Sequence, residues 1–272
     1  MHLSFQQWGK SDSRQQILLI HGWGMNSGVW SDIAARLEQA HPEALIRCVD
    51  LPGYGHSKCY DLDALGGSYT TSTLAKSLLP LLADKQTTVI AWSMGGLVAI
   101  DLLSEPQLDI SQLILVSSSP CFVQSEDWQN AVEAQVFEDF CQSLAEDHQG
   151  TLKRFLAIQM LGSRSAREDI KVLQEQLFKR GEPDLLALEK GLQLLLKEDK
   201  RQQLRQILQI PISLIVGKLD TLVNYRGQKQ LAEQANISLF AIPAAGHAPF
   251  ISHPDEFNEI LQRLIPLRQP KE

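Results

Sequence analysis

Val89-Ile90-Ala91-Trp92-Ser93-Met94-Gly95-Gly96-Leu97-Val98-Ala99 is the stretch whose reading decides the fold. An apolar run of strand length enters a serine, and glycines followed by a helix-like apolar run leave it. So sharp a strand-to-helix turn crowds the positions two residues either side of the serine, which must be small. Ala91 and Gly95 meet that requirement, with alanine where the usual Gly-x-Ser-x-Gly pattern has its first glycine. Such a turn presents the Ser93 hydroxyl at the carboxyl edge of a sheet, near the positive end of the next helix. Ser93 is therefore the candidate nucleophile. The competing reading makes it a plain helix N-cap.

Outward from that turn, the first half alternates buried-strand runs (17–20, 44–49, 87–92, 112–116) with helical periodicity (29–37, 74–82, 97–103). Near-continuous apolar strands separated by helices predict a mostly parallel central sheet flanked by helices, an α/β fold. From about 125 to 209 only amphipathic helices are expected, with breaks near Gly150, Gly162 and Gly181-Glu182-Pro183. The strand–helix rhythm then resumes: strand 212–216, helix 225–234, strand 237–242, helix 254–264. The expected organisation is a core of residues 1–120 and 210–272 with an inserted all-helical cap, or lid, at 121–209. Neither internal repeats nor a low-complexity linker interrupt it.

Composition narrows the function classes. The chain has 272 residues, 44% of them hydrophobic, and 25 Lys+Arg against 32 Asp+Glu give a net charge of −7. That is the wrong sign for coating nucleic acid. No apolar run reaches the roughly 18 residues that span a bilayer, so no membrane is expected. His2, Gln6, Gln7 and Lys10 stand where a secretory signal needs a basic and then an apolar stretch. Cysteines at 48, 59, 121 and 141 form neither a Cys-x-x-Cys pair nor a metal spacing, and read as reduced cytoplasmic thiols. No metal and no cofactor are expected.

A serine hydroxyl needs a base. Of His21, His41, His56, His148, His247 and His253, His247 lies after the last strand in the loop Ala244-Ala245-Gly246-His247-Ala248-Pro249-Phe250, expected to be flexible and at the same edge as Ser93. His21 and His56 sit beside glycines in tight turns and read as orienting backbone, and His253 leads into the last helix. Asp220 follows strand 212–216 at the same edge and suits the acid that orients the imidazole, its competing reading being the N-cap of the next helix. The order Ser93, Asp220, His247 is that of α/β-hydrolases. The oxyanion hole is expected from the backbone N–H of Met94 and of Trp23, the latter in His21-Gly22-Trp23-Gly24 after the first apolar strand. The Trp23 indole reads equally as acyl-pocket wall or as packing.

Several segments together make the resemblance narrower than the superfamily: His21-Gly22-Trp23-Gly24-Met25-Asn26, Asp50-Leu51-Pro52-Gly53-Tyr54-Gly55-His56-Ser57, Ser118-Ser119-Pro120-Cys121-Phe122, Arg154-Phe155-Leu156-Ala157-Ile158-Gln159 and His247-Ala248-Pro249-Phe250-Ile251-Ser252-His253-Pro254. With these the chain resembles the pimeloyl-[acyl-carrier protein] methyl ester esterases of biotin synthesis. The resemblance implies an α/β-hydrolase fold and hydrolysis of that methyl ester to free pimeloyl-[acyl-carrier protein] and methanol. It implies substrate contacts at Trp23, Ser93, Met94, Phe155, Leu156, Ala157, Ile158, Gln159 and His247. It also implies docking of the acidic carrier protein on Arg154, Arg167 and Lys171, in a basic stretch with Lys153 and Arg164. Two departures stand out: Gly150 occupies a position where a further arginine is expected, and Lys171 lacks an arginine's bidentate fork. The rival functions are a general short-chain carboxylesterase or C–C bond hydrolase on the same fold, and a non-enzymatic small-ligand receptor. A cytoplasmic monomer is expected.

Overall fold

The computed structural model describes residues 3–58, 68–160, 166–207 and 209–266. The apolar runs form strands β1 (Phe5–Gly9), β2 (Gln15–Ile20), β3 (Leu45–Val49), β4 (Gln86–Trp92), β5 (Asp109–Val116), β6 (Ile212–Gly217) and β7 (Ser238–Ile242). They make one sheet in the order β1-β3-β2-β4-β5-β6-β7. All neighbouring strands run parallel except β1, which pairs antiparallel with β3 from Phe5↔Val49 to Gly9↔Leu45. Five consecutive residues of β2 and all six of β6 are buried, which requires cover on both faces of the sheet.

That cover comes from α1 (Ser31–Ala40), α2 (Thr71–Leu82), α3 (Met94–Leu102), and later helices given below, with α1 packed on the last helix and α2 on α3. Thr70 and Thr73 close a reciprocal capping box at the start of α2. In α3 every residue from Met94 to Ile100 is buried, as expected of a helix that is apolar all round.

Between β5 and β6 lie α4 (Ala134–Glu146), α5 (His148–Gln159), α6 (Ala166–Lys179), α7 (Leu185–Lys197) and α8 (Arg201–Gln206). The expected break at Gly150 falls three residues earlier. Asp147 separates α4 from α5 and caps α5 by accepting the Gly150 N–H at 2.9 Å. Gly150 is therefore a first-turn residue, and a Cβ there would collide with the Asp147 carboxylate. Gly162, Arg164 and Cys59 lie outside the described residues. The chain returns through α9 (Tyr225–Ala235), the short α10 (Pro249–Ser252) and α11 (Pro254–Leu264).

The helices of 121–209 rest on loops at the carboxyl ends of β2, β3 and β7. Asn26 Nδ2 donates to Leu177 O (3.1 Å) near the end of α6, Tyr54 OH donates to Ala187 O (3.1 Å), and the Asp184 N–H donates to Gly53 O (2.7 Å). Arg180 meets the fully buried Asp50 carboxylate at 2.6 Å. Burial pushes the Asp50 carboxyl up, but Arg180 and the Ser27 N–H outweigh it and hold the group below its ordinary range. At the far end Lys200, nearly buried, joins Asp101 of α3 (2.9 Å) and Glu198 (3.1 Å). No described helix is long and apolar enough to cross a membrane.

Candidate active site

Ser93 joins β4 to α3 with φ +53° and ψ −124°, a left-handed conformation that a residue with a Cβ adopts only under constraint. The constraint is visible. Its N–H donates to Val116 O (3.0 Å), and its carbonyl accepts the Gly96 N–H (2.9 Å) and the Ser118 hydroxyl (2.7 Å). A Cβ on Gly96 would occupy the place of that Ser118 hydroxyl. A Cβ on Gly95 would lie 2.6 Å from His21 O, so the small residue required by the turn is required by backbone.

The Ser93 side chain makes no helix-capping bond. It lies 2.9 Å from His247 Nε2, and His247 Nδ1 lies 2.9 Å from Asp220 Oδ2. The other Asp220 oxygen accepts the N–H groups of Leu222 and Val223, both at 2.9 Å. Asp220 therefore orders its own loop with one oxygen and the imidazole with the other, while Asn224 caps α9. A carboxylate only accepts, so Nδ1 carries the ring proton and the Nε2 lone pair faces the Ser93 hydroxyl. All three residues are at most 5% exposed. The loop expected to be flexible is instead held: the His247 N–H donates to Gln159 O (3.1 Å), and Trp92 Nε1 donates to His247 O (2.9 Å).

The loop after β2 lies against the Ser93 turn. A Cβ on Gly22 would approach Ser93 Cβ to 3.0 Å, so the 21–24 loop presses on the turn, and Met94 opens α3 with a first-turn amide. His21 is fully buried, its Nε2 accepts the Leu51 N–H (3.1 Å), and its protonated Nδ1 donates to Gly22 O (2.7 Å). In a trans peptide this turns the Trp23 N–H to the opposite side from that carbonyl. Burial lowers the His21 pKa to about 4, so the ring is neutral.

The Trp23 indole is fully buried. Its N–H is consumed by Leu188 O (2.8 Å), and its ring meets Phe155 edge-on at 4.6 Å. Phe155, Leu156 and Gln159 are buried, whereas Ala157 and Ile158 are half-buried. Arg154, Arg167 and Lys171 lie elsewhere, exposed on the neighbouring helices α5 and α6. Among the described residues, Arg154 reaches Thr151 Oγ1 at 3.3 Å, and Lys171 reaches Glu175 at 3.9 Å. Sequence reading missed Ser118 and Trp92 as supports of Ser93 and His247. Both stand in quoted motifs, but their partners are 25 and 155 residues away, beyond any local spacing rule.

A serine on a strained strand-to-helix turn, followed along the chain by an acid and then a histidine, is the arrangement of α/β-hydrolases. The chain belongs to the alpha/beta hydrolase family, whose pattern matches residues 17–260. It is 39% identical over 264 residues to the pimeloyl-[acyl-carrier protein] methyl ester esterase of Photobacterium profundum, covering 95% of this chain and 97% of that one. The protein of the same name from Aeromonas salmonicida is 39% identical over 267 residues, covering 97% of this chain and all 100% of its own. Among solved structures, an esterase from Exiguobacterium antarcticum superposes with TM-score 0.84 over 97% of this chain and 96% of its own. At 22% identity that likeness speaks to the fold alone.

Proposed function

We propose that this chain is a serine carboxylesterase that hydrolyses the methyl ester of pimeloyl-[acyl-carrier protein] in biotin synthesis. The observation that carries the chemistry is the unbroken chain of 2.9 Å contacts from Asp220 through His247 to Ser93. The substrate assignment draws on the two relatives of that name, each matched over nearly its whole length.

In this reading Asp220 holds the imidazole, and His247 Nε2 takes the Ser93 proton as Oγ attacks the ester carbonyl. The Trp23 and Met94 N–H groups receive the developing oxyanion. Collapse expels the methoxy group, which leaves as methanol after taking the proton from His247. Water then gives a proton to His247 and attacks the acyl-serine, and that proton returns to Ser93 as the free acid departs. Residues 121–209 act as a cap, with Phe155 and Leu156 walling the methylene chain. Arg154, Arg167 and Lys171 receive the acidic carrier protein. The enzyme works in the cytoplasm as a monomer, a setting consistent with the unpaired thiols of Cys48, Cys121 and Cys141.

Turnover of methyl pimeloyl-carrier compared with free methyl pimelate tests this reading, in the wild type and in an Arg154→Glu/Arg167→Glu double variant. The wild type is expected to favour the carrier-bound ester. The double variant is expected to lose about tenfold or more in kcat/KM on it at low salt, with the free ester little affected. Equal turnover of both esters points to the general carboxylesterase. Absence of multiple turnover on either points to a receptor. Unchanged carrier turnover after charge reversal removes the docking face.

A further inference from the structure

The imidazole of His247 is fixed at both ring nitrogens, yet its backbone lies between Gly246 and Ala248-Pro249, outside any strand or helix. A ring is only as well placed as the chain that carries it. Here both backbone polar groups are engaged: the N–H by the Gln159 carbonyl at the end of α5, and the carbonyl by the Trp92 indole at 2.9 Å.

Trp92 is the residue before Ser93, so one side chain is covalently next to the nucleophile and hydrogen-bonded to the base 155 positions on. The indole has little room to turn. It is fully buried, its ring centroid is 5.7 Å from that of His247, and Phe250 meets it edge-on at 5.1 Å. Phe250 is itself stacked on Trp30 at 4.1 Å. Losing the indole N–H would leave a buried carbonyl unpaired and free the loop to shift, and small misplacements of a reacting group cost rate steeply.

We infer that Trp92 is a positioning residue, whose indole N–H locks the His247 backbone so that the imidazole stays in line with Ser93. The inference rests on the proposed role of His247 as the base. It differs from plain packing in assigning the effect to one N–H group and not to the bulk of the ring.

The test replaces Trp92 site-specifically with 3-benzothienylalanine, which keeps the ring shape but carries sulfur in place of N–H. A 5-fluorotryptophan protein, which retains the N–H, is the matched control. Kinetics on a short-chain p-nitrophenyl ester and the downfield proton resonance of the His247–Asp220 bond are the readouts. The sulfur isostere is expected to lose roughly ten- to a hundredfold in kcat with KM within about twofold, and to broaden that resonance, while the fluoro protein behaves as wild type. Should the isostere not fold, Trp92→Phe must show the same kcat loss at unchanged KM. A kcat within about twofold of wild type in the N–H-less protein, or an equal loss in the fluoro protein, overturns the inference. His247→Ala separates the two claims: if it stays active, the base assignment is wrong. If it is dead while the N–H-less protein is fully active, only the Trp92 role falls.

Discussion

His21 shows how a single buried ring can support a neighbouring amide and set a pH limit on the fold. With both nitrogens committed and water excluded, the ring must fold neutral, and its pKa falls from 6.5 to about 4. Between those values the unfolded chain binds a proton that the folded chain does not. The contribution of His21 is therefore complete above pH 6.5 and drains away as pH falls towards 4, by on the order of 3 kcal/mol. Asp50 acts in a separate window: held below its ordinary value of 3.8, it contributes stability above that value and loses it only as pH falls further. Denaturant unfolding at pH 7 and pH 4.5 separates them. Wild type is expected to lose about 2 to 3 kcal/mol more over that interval than His21→Gln, which has no proton to gain. Equal losses would show that His21 titrates normally.

At the scale of elements, the unit from β4 through Ser93 into α3 was the most legible part of the chain, because its steric demands fall on adjacent residues. Gly95→Ala tests those demands. The added methyl would lie 2.6 Å from His21 O and 3.0 Å from Ile20 O, both backbone atoms, so the end of β2 must retreat and take the Trp23 amide with it. The expected result is a kcat lower by about a hundredfold, with stability reduced by about 1 to 3 kcal/mol. Full activity in kinetic assays would separate the 21–24 loop from the chemistry. The buried strands β2, β4, β5 and β6 were equally readable, since cover on both faces demands continuous apolar runs. β1 was not: Phe5-Gln6-Gln7-Trp8 has neither strand nor helix periodicity, and it becomes a strand by pairing along the edge of β3. The His247 loop misled in the other direction. Its glycine and proline suggested mobility, while its backbone bonds run to α5 and β4, distant partners that composition does not encode.

At the scale of the whole molecule, the convergence of Ser93, Asp220 and His247 was legible because each follows a strand whose carboxyl end meets the others at one edge. The supports of that site were not, because Ser118, Trp92 and the Gln159 carbonyl reach it only through the tertiary fold. Charge is also partitioned: a chain of net −7 carries exposed Arg154, Arg167 and Lys171 on α5 and α6, and the carrier-docking proposal stands or falls on that local reversal. The fold recurs at 22% identity, so architecture says little about substrate, and the particular ester is argued from relatives at 39% and from surface chemistry. The most direct measurement is titration of the wild-type enzyme with a fluorophosphonate, with peptide mapping of the adduct, alongside methanol release from methyl pimeloyl-carrier by Ser93→Ala. One equivalent is expected to abolish activity and to map to Ser93, and the alanine variant is expected to release no methanol. An adduct on any other side chain, or methanol release that survives the substitution, would contradict the account.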